Sequence, residues 1–147
     1  MGINKIKPLS PKTTVNVASL STMGLAWFSH IAFHIQTWRE RLAREGFEQA
    51  FEMYTDFLEQ GSSQTLYARL PANQEFRILG VGDDDVKLLK LELFDWHGCL
   101  VDQHNASDQA ALVSVQPVQT GEYGLRITLA SCHYYVCEYG IVVFAKS

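Results

Sequence analysis

Charge is scarce in this chain of 147 residues. Asp, Glu, Lys and Arg make up 19% of it, below the roughly 25% of an average soluble chain. Hydrophobic residues make up 47% and aromatics 12%, which excludes a disordered or low-complexity protein. Proline and glycine, at 4 and 10, are too few for collagen-like or linker-dominated classes. A basic excess is missing as well. The net charge is −4, whereas a nucleic-acid binder needs a basic face to neutralise phosphate. No strand–helix–strand alternation announces a parallel sheet, and no repeat announces a solenoid or propeller. No nucleophile-and-base pattern or metal-ligand spacing stands out. Asp95 and Asp102 flank a turn and could suggest a glycosidase pair, but turn chemistry explains them more simply. The expectation is a protein that is not an enzyme.

Acidic residues are absent from residues 1–39, which carry Lys5, Lys7, Lys12 and Arg39 and hence +4. The remaining eight basic and sixteen acidic residues leave −8. Between Lys12 and Arg39 run 26 residues without a formal charge, from Thr13 to Trp38. As a helix at about 1.5 Å per residue, this run would exceed a ~30 Å hydrocarbon core. On a helical wheel Leu20, Trp27, Phe28, Ile31 and Ile35 gather on one side. Asn16, His30 and His34 share a polar stripe. Three readings fit. One is a cleaved leader, although no A-x-A-like site precedes Trp38. Another is a retained membrane helix whose polar stripe meets a partner subunit. The third is an amphipathic helix packed on a soluble domain. The retained membrane helix is the reading carried forward. His30 and His34, four apart on one helix face, are candidate partner-facing residues together with Asn16. They could also contact the metal of a haem or chlorin.

After Trp38–Gly46, which reads as a helical extension stopped by glycine, the period changes. Phe51, Met53, Thr55 and Phe57 alternate with Glu52, Tyr54 and Asp56. A Glu-Gln-Gly-Ser-Ser cluster and Gln64–Leu70 follow, so the spacing predicts a hairpin. Further short strands are expected in 75–81, 87–94, 99–103, 111–115, 124–130 and 139–145. Seven or eight strands with regular turn signals predict a mainly β fold, an antiparallel β-sandwich or jelly roll. The expected organisation is a basic tail and hydrophobic helix over 1–46 and the sandwich over 47–147.

Cys132 and Cys137 bracket His133-Tyr134-Tyr135-Val136. That spacing allows a disulfide across a hairpin tip, with two reduced buried thiols as the alternative. The bridge is the expectation, and it implies an oxidising compartment. Cys99 is left over and is expected to be a buried thiol. Asp83-Asp84-Asp85 reads as a solvated turn, with Asp83 and Asp85 as weak Ca²⁺ candidates. Trp96, Tyr134 and Tyr135 stand at loop positions and are candidate ligand-binding aromatics. The Gln-Thr-Gly-Glu-Tyr stretch puts Gly121 in a turn where a positive φ is expected.

Four pieces in order carry a family resemblance. They are LYARLPANQEFRILGVGDDD, LKLELFDWHGCLV, VSVQPVQTGEYGLRITL (with Pro117, Thr120, Gly121 and Tyr123), and the closing CHYYVCEYGIVVFA. Together, over about 80 residues from Gln64 to Lys146, they resemble the pre-peptidase C-terminal type of β-sandwich of exported bacterial proteins. The resemblance implies a β-sandwich working outside the cytoplasm. Where small exported members carry a second cysteine pair around the acidic loop, this chain has Gly82 and Val86.

The expected function is that of a non-enzymatic envelope protein. The helix would anchor it in a bacterial inner membrane, and the sandwich would face the periplasm as an accessory subunit or interaction module. Other membrane-protein subunits would be its partners, and nucleic acid would not. A soluble exported module that binds a glycan or Ca²⁺ is the alternative.

Overall fold

The computed structural model describes residues 4–9, 30–107 and 110–147. The elements are β1 (Asn4–Pro8), α1 (His30–Arg44), β2 (Glu48–Gln49), β3 (Tyr54–Glu59), β4 (Ser63–Leu70) and β5 (Glu75–Gly82). After them come β6 (Val86–Phe94), β7 (Leu100–Ala106), β8 (Ala110–Val115), β9 (Gly121–Cys132) and β10 (Val136–Lys146). One sheet has the order β1-β4-β9-β6-β7. The other has the order β2-β10-β5-β8, with β3 also paired to β10. This is the expected β-sandwich. All pairings are antiparallel except β1 with β4, which is parallel from Asn4↔Ser63 to Pro8↔Tyr67.

Period-two alternation places the core. From the first sheet, Leu66, Leu89, Leu91, Leu93, Leu125, Ile127 and Leu129 point inward. From the second, Phe76, Ile78, Val113, Tyr139, Ile141 and Val143 meet them. The outer side of the second sheet is apolar too, with Leu79, Val81, Val142 and Phe144 buried there under Ile31, Ile35, Leu42 and Phe47. α1 lies on that side, so β5 and β10 are buried on both faces, and they read as near-continuous apolar runs for that reason. Burying each of Ile31, Ile35 and Leu42 contributes about 1.5–3 kcal/mol. A Cβ on Gly140 would come within 2.9 Å of Ile31 Cγ2, so the bare backbone there lets α1 settle on the sheet. Gly46 follows α1 at φ +91°, the left-handed stop that the sequence signalled.

This packing corrects the expected membrane role for residues 30–38. Ile31 and Ile35 face the sandwich, not lipid. No helix among the described residues is long and apolar enough to cross a membrane. Asn16 and residues 13–29 lie outside the described residues. The expected division between residues 46 and 47 falls between α1 and β2, and elements on both sides of it pack on one sandwich: β1 extends the first sheet and α1 covers the second.

Two expected hairpins are corrected as well. β3 pairs with β10 and β4 with β9, so the turn at Gln60–Ser62 carries the chain from one sheet to the other. The same holds after Cys132, because β9 lies in the first sheet and β10 in the second. Both connections are arches over the end of the core. β6 and β7 do form a hairpin across the Asp95–Cys99 turn, with Leu93 opposite Asp102.

Side chains also close one edge of the sandwich. Asp102 Oδ2 accepts the Ser114 N–H, and His104 Nδ1 accepts the Leu112 N–H, both at 2.9 Å. These bonds run from β7 in one sheet to the outermost strand β8 of the other. They occupy edge donors that another strand could otherwise pair with.

Candidate functional site

The β9–β10 arch is fixed by a disulfide and by hydrogen bonds from both flanks, yet presents large side chains to solvent. Cys132 and Cys137 are joined by a disulfide, with their Cα atoms 6.3 Å apart. Cys132 is opposite Val86 in one sheet and Cys137 opposite Leu58 in the other, so the bridge ties the two sheets together. Hydrogen bonds pin the arch on both flanks. The His133 N–H donates to Asp85 O at 2.7 Å, and the Gln60 N–H donates to Tyr135 O at 2.8 Å. The Cys132 N–H donates to Gln60 Oε1 at 2.9 Å.

On this frame Tyr134 is 62% exposed and Tyr135 69%. The His133 ring meets the Tyr134 ring edge-on at 4.8 Å between centroids. The Tyr135 hydroxyl donates to Glu59 Oε2 at 3.0 Å, which raises its pKa because the bond favours the protonated phenol. Val136 (45% exposed) is opposite Glu59, and Phe57 (56% exposed) is opposite Glu138. Phe57, Val136, Tyr134 and Tyr135 therefore form an apolar and aromatic strip running from β3 over the start of β10 to the arch.

Sequence reasoning did not single out Phe57 and Val136. The β3 alternation is real, but its other face turns inward. Leu58 is buried and Tyr54 packs on the core, while Phe57 points out. A polar chain explains the choice. Buried Tyr139 donates its hydroxyl hydrogen to Gln64 Oε1, Gln64 Nε2 donates to Tyr54 OH at 2.7 Å, and Tyr54 OH donates to Asp56 Oδ2 at 2.9 Å. Burial is the main cause that drives the Tyr139 pKa upward, followed by Tyr54 and Asp56. The chain satisfies a fully buried glutamine and leads its polarity out to a carboxylate.

The other nominated residues fall elsewhere. Trp96 sits at the opposite end of β6 from the arch, in the Asp95–Cys99 turn. There Asp95 Oδ1 accepts the N–H groups of His97 and Cys99, both at 2.9 Å. The indole meets the Tyr123 ring edge-on at 5.7 Å and covers Gly121. Trp96 and the two tyrosines thus do not share a site. Gly121 opens β9 opposite Leu70 and is not among the positive-φ glycines, so the expected reason for a glycine is corrected: the space is taken by Trp96. Cys99 is exposed and free, not buried. Asp83 spends its oxygens on the backbone, accepting the Asp85 and Glu138 N–H groups at 2.9 Å. Among the described residues no group of three His, Cys, Asp or Glu side chains could hold a metal ion. His30 Nδ1 lies 3.0 Å from Asp84 Oδ2 at the exposed start of α1, and His34 packs beside Phe33.

No family model matches the chain, and no curated protein matches it. Solved structures do. A periplasmic lysozyme inhibitor of g-type lysozyme (PliG) from Aeromonas hydrophila aligns over 97% of this chain and 99% of its own, with TM-score 0.51 and 7% identity. The pre-peptidase C-terminal domain of a Bacillus anthracis collagenase aligns over 63% of this chain and 87% of its own, with TM-score 0.42 and 12% identity. The Salmonella Typhimurium PliG inhibitor aligns over 65% of this chain and 86% of its own, with TM-score 0.42 and 11% identity. At these identities the likeness is one of fold alone.

Proposed function

We propose that the protein is a non-catalytic, exported interaction module of the cell envelope and that it docks another protein through the β9–β10 arch and the exposed face of β3. The observation that carries this reading is the arch. Tyr134, Tyr135 and Val136 are held out to solvent on a loop closed by a disulfide and pinned from both sheets, with Phe57 of β3 beside them. A rigid aromatic patch binds with little ordering entropy left to lose, and tyrosines are enriched at energetic centres of interfaces. The disulfide supports an oxidising compartment such as the periplasm. The likeness to a periplasmic inhibitor of another protein supports the reading at the level of fold. Docking through a membrane stripe of Asn16, His30 and His34 is the weaker alternative, because Ile31 and Ile35, each next to one of those histidines, are committed to the sheet.

The test is photo-cross-linking in the producing cell from a reactive side chain placed at position 135, with position 103 on the other sheet as control. The expected result is a discrete adduct from 135 alone, lost when Cys132→Ser and Cys137→Ser open the arch in a chain that still melts cooperatively. Equal labelling from both positions, or an adduct indifferent to the bridge, rejects the arch as the docking element.

A further inference from the structure

α1 covers the outer face of the second sheet only as far as Gly140, where Ile31 packs. Beyond it the rows Phe57–Glu138 and Glu59–Val136 continue that face, with Phe57, Glu59 and Val136 exposed and Glu138 half-buried. The strip is bordered by carboxylates: Glu59 and Glu138 within the rows, and Asp83, Asp84 and Asp85 in the adjoining loop. Asp83 and Glu138 are locked side by side, since the Asp83 N–H donates to Glu138 O at 3.0 Å and the Glu138 N–H returns to Asp83 Oδ2 at 2.9 Å. No Lys or Arg occurs in β3, in residues 83–85, in residues 133–135 or in β10 before Lys146. Along the chain, the first cation after the acidic loop is Lys87, on β6 of the other sheet. His30 reaches Asp84, whereas Glu59, Asp83 and Glu138 form no ion pair with any described residue. Burial raises the Glu138 pKa, and the Asp83 charge raises it further, so the fold carries this concentration of negative charge at its own expense.

We infer that the strip docks a basic protein, one whose contact face sets Lys or Arg side chains around an apolar centre. The inference rests on the docking function proposed above and names its partner class. Phe57, Tyr134, Tyr135 and Val136 supply the apolar centre, and the carboxylates supply the rim that steers and orients a cationic face. A second copy docked strip to strip does not fit, because it would bring the same carboxylates against these. Anionic lipid or nucleic acid is repelled for the same reason. A cation placed beside Glu138 favours its charged form. Docking therefore releases protons, and affinity rises with pH across the carboxylate range.

The experiment uses the full, disulfide-intact chain and three short peptides that share Trp and Leu positions and carry Lys, Gln or Glu at all others. Fluorescence anisotropy reads the binding. The Lys peptide is expected to bind at least about tenfold more tightly than the other two, and to lose most of that advantage between about 50 and about 500 mM salt. Glu59→Gln together with Glu138→Gln should erase the preference for Lys while leaving residual binding of all three. Tyr134→Ala together with Tyr135→Ala should weaken all three alike. A Gln peptide that binds as tightly as the Lys peptide overturns the basic partner and leaves the docking surface standing. Tyrosine variants that bind every peptide like the parent chain overturn both. Failure of all three peptides to bind, or a dimer in sedimentation velocity that Phe57→Glu dissolves, also overturns the basic partner.

Discussion

Glu138 shows how one residue ties stability to docking. Its folded pKa is raised above a carboxylate's ordinary value of 4.5, first by burial and then by Asp83. The folded chain therefore holds this proton more firmly than the unfolded chain does. Stability is largest below the ordinary value and is lost as pH rises through the raised one. Glu138→Gln removes that loss. The expected result is a Tm above the parent's at pH 7, with the difference vanishing below about pH 4. Thermal melts across pH check it, and a variant less stable at pH 7 contradicts it. Gly121 makes the opposite case, a residue fixed by packing alone. A Cβ there would lie inside 3.0 Å of three Trp96 ring atoms. Gly121→Val should cost about 1–3 kcal/mol by overpacking. Adding Trp96→Ala should recover part of the loss, because the obstacle is the ring. A double variant with no recovery in denaturant titration would place the cost in the backbone instead.

At the scale of elements, the sequence carried the strands better than their pairing. Leu89, Leu91 and Leu93 announce β6 and its inward face, and the prediction holds. Ser62 and Gly61 announce a reversal after β3, and one is there. Turn residues encode only that the chain reverses, not whether the next strand joins the same sheet. The hairpins expected at Gln60–Ser62 and at Tyr134–Tyr135 are arches for that reason. Cysteine spacing located the disulfide, yet the two strands it joins lie in different sheets. The run from His30 to Trp38 shows a second limit. Apolar side chains without charges suit lipid and an apolar sheet equally, and Leu79, Val81, Val142 and Phe144, distant in sequence, decide the matter. The docking strip was half legible. Tyr134 and Tyr135 stand out as loop aromatics, whereas Phe57 is exposed because Leu58 and Tyr54 take the inward face of β3. One element-level consequence is that Gly140→Val should lift α1 from the sheet. We expect a loss of about 1–3 kcal/mol and faster hydrogen exchange confined to residues 30–44.

At the scale of the whole molecule, the two ends of the sandwich divide the work. The end with Trp96, Gly121 and Tyr123 is a packing cluster, and the end with the arch, β3 and the acidic loop is the proposed docking surface. Trp96→Ala should lower Tm and leave docking unchanged, whereas Tyr135→Ala should leave Tm unchanged and weaken docking about tenfold or more. The same effect from both variants on either readout contradicts the division. Both the compartment and the rigidity of the docking end depend on the bridge between Cys132 and Cys137, which should stabilise the chain by about 2–3 kcal/mol. The most direct measurement is peptide mapping of the native protein, alkylated without prior reduction. The account predicts an intact bridge between Cys132 and Cys137, resistant to alkylation, with Cys99 alone alkylated. Alkylation of all three cysteines would contradict it, removing at once the oxidising compartment and the closed arch.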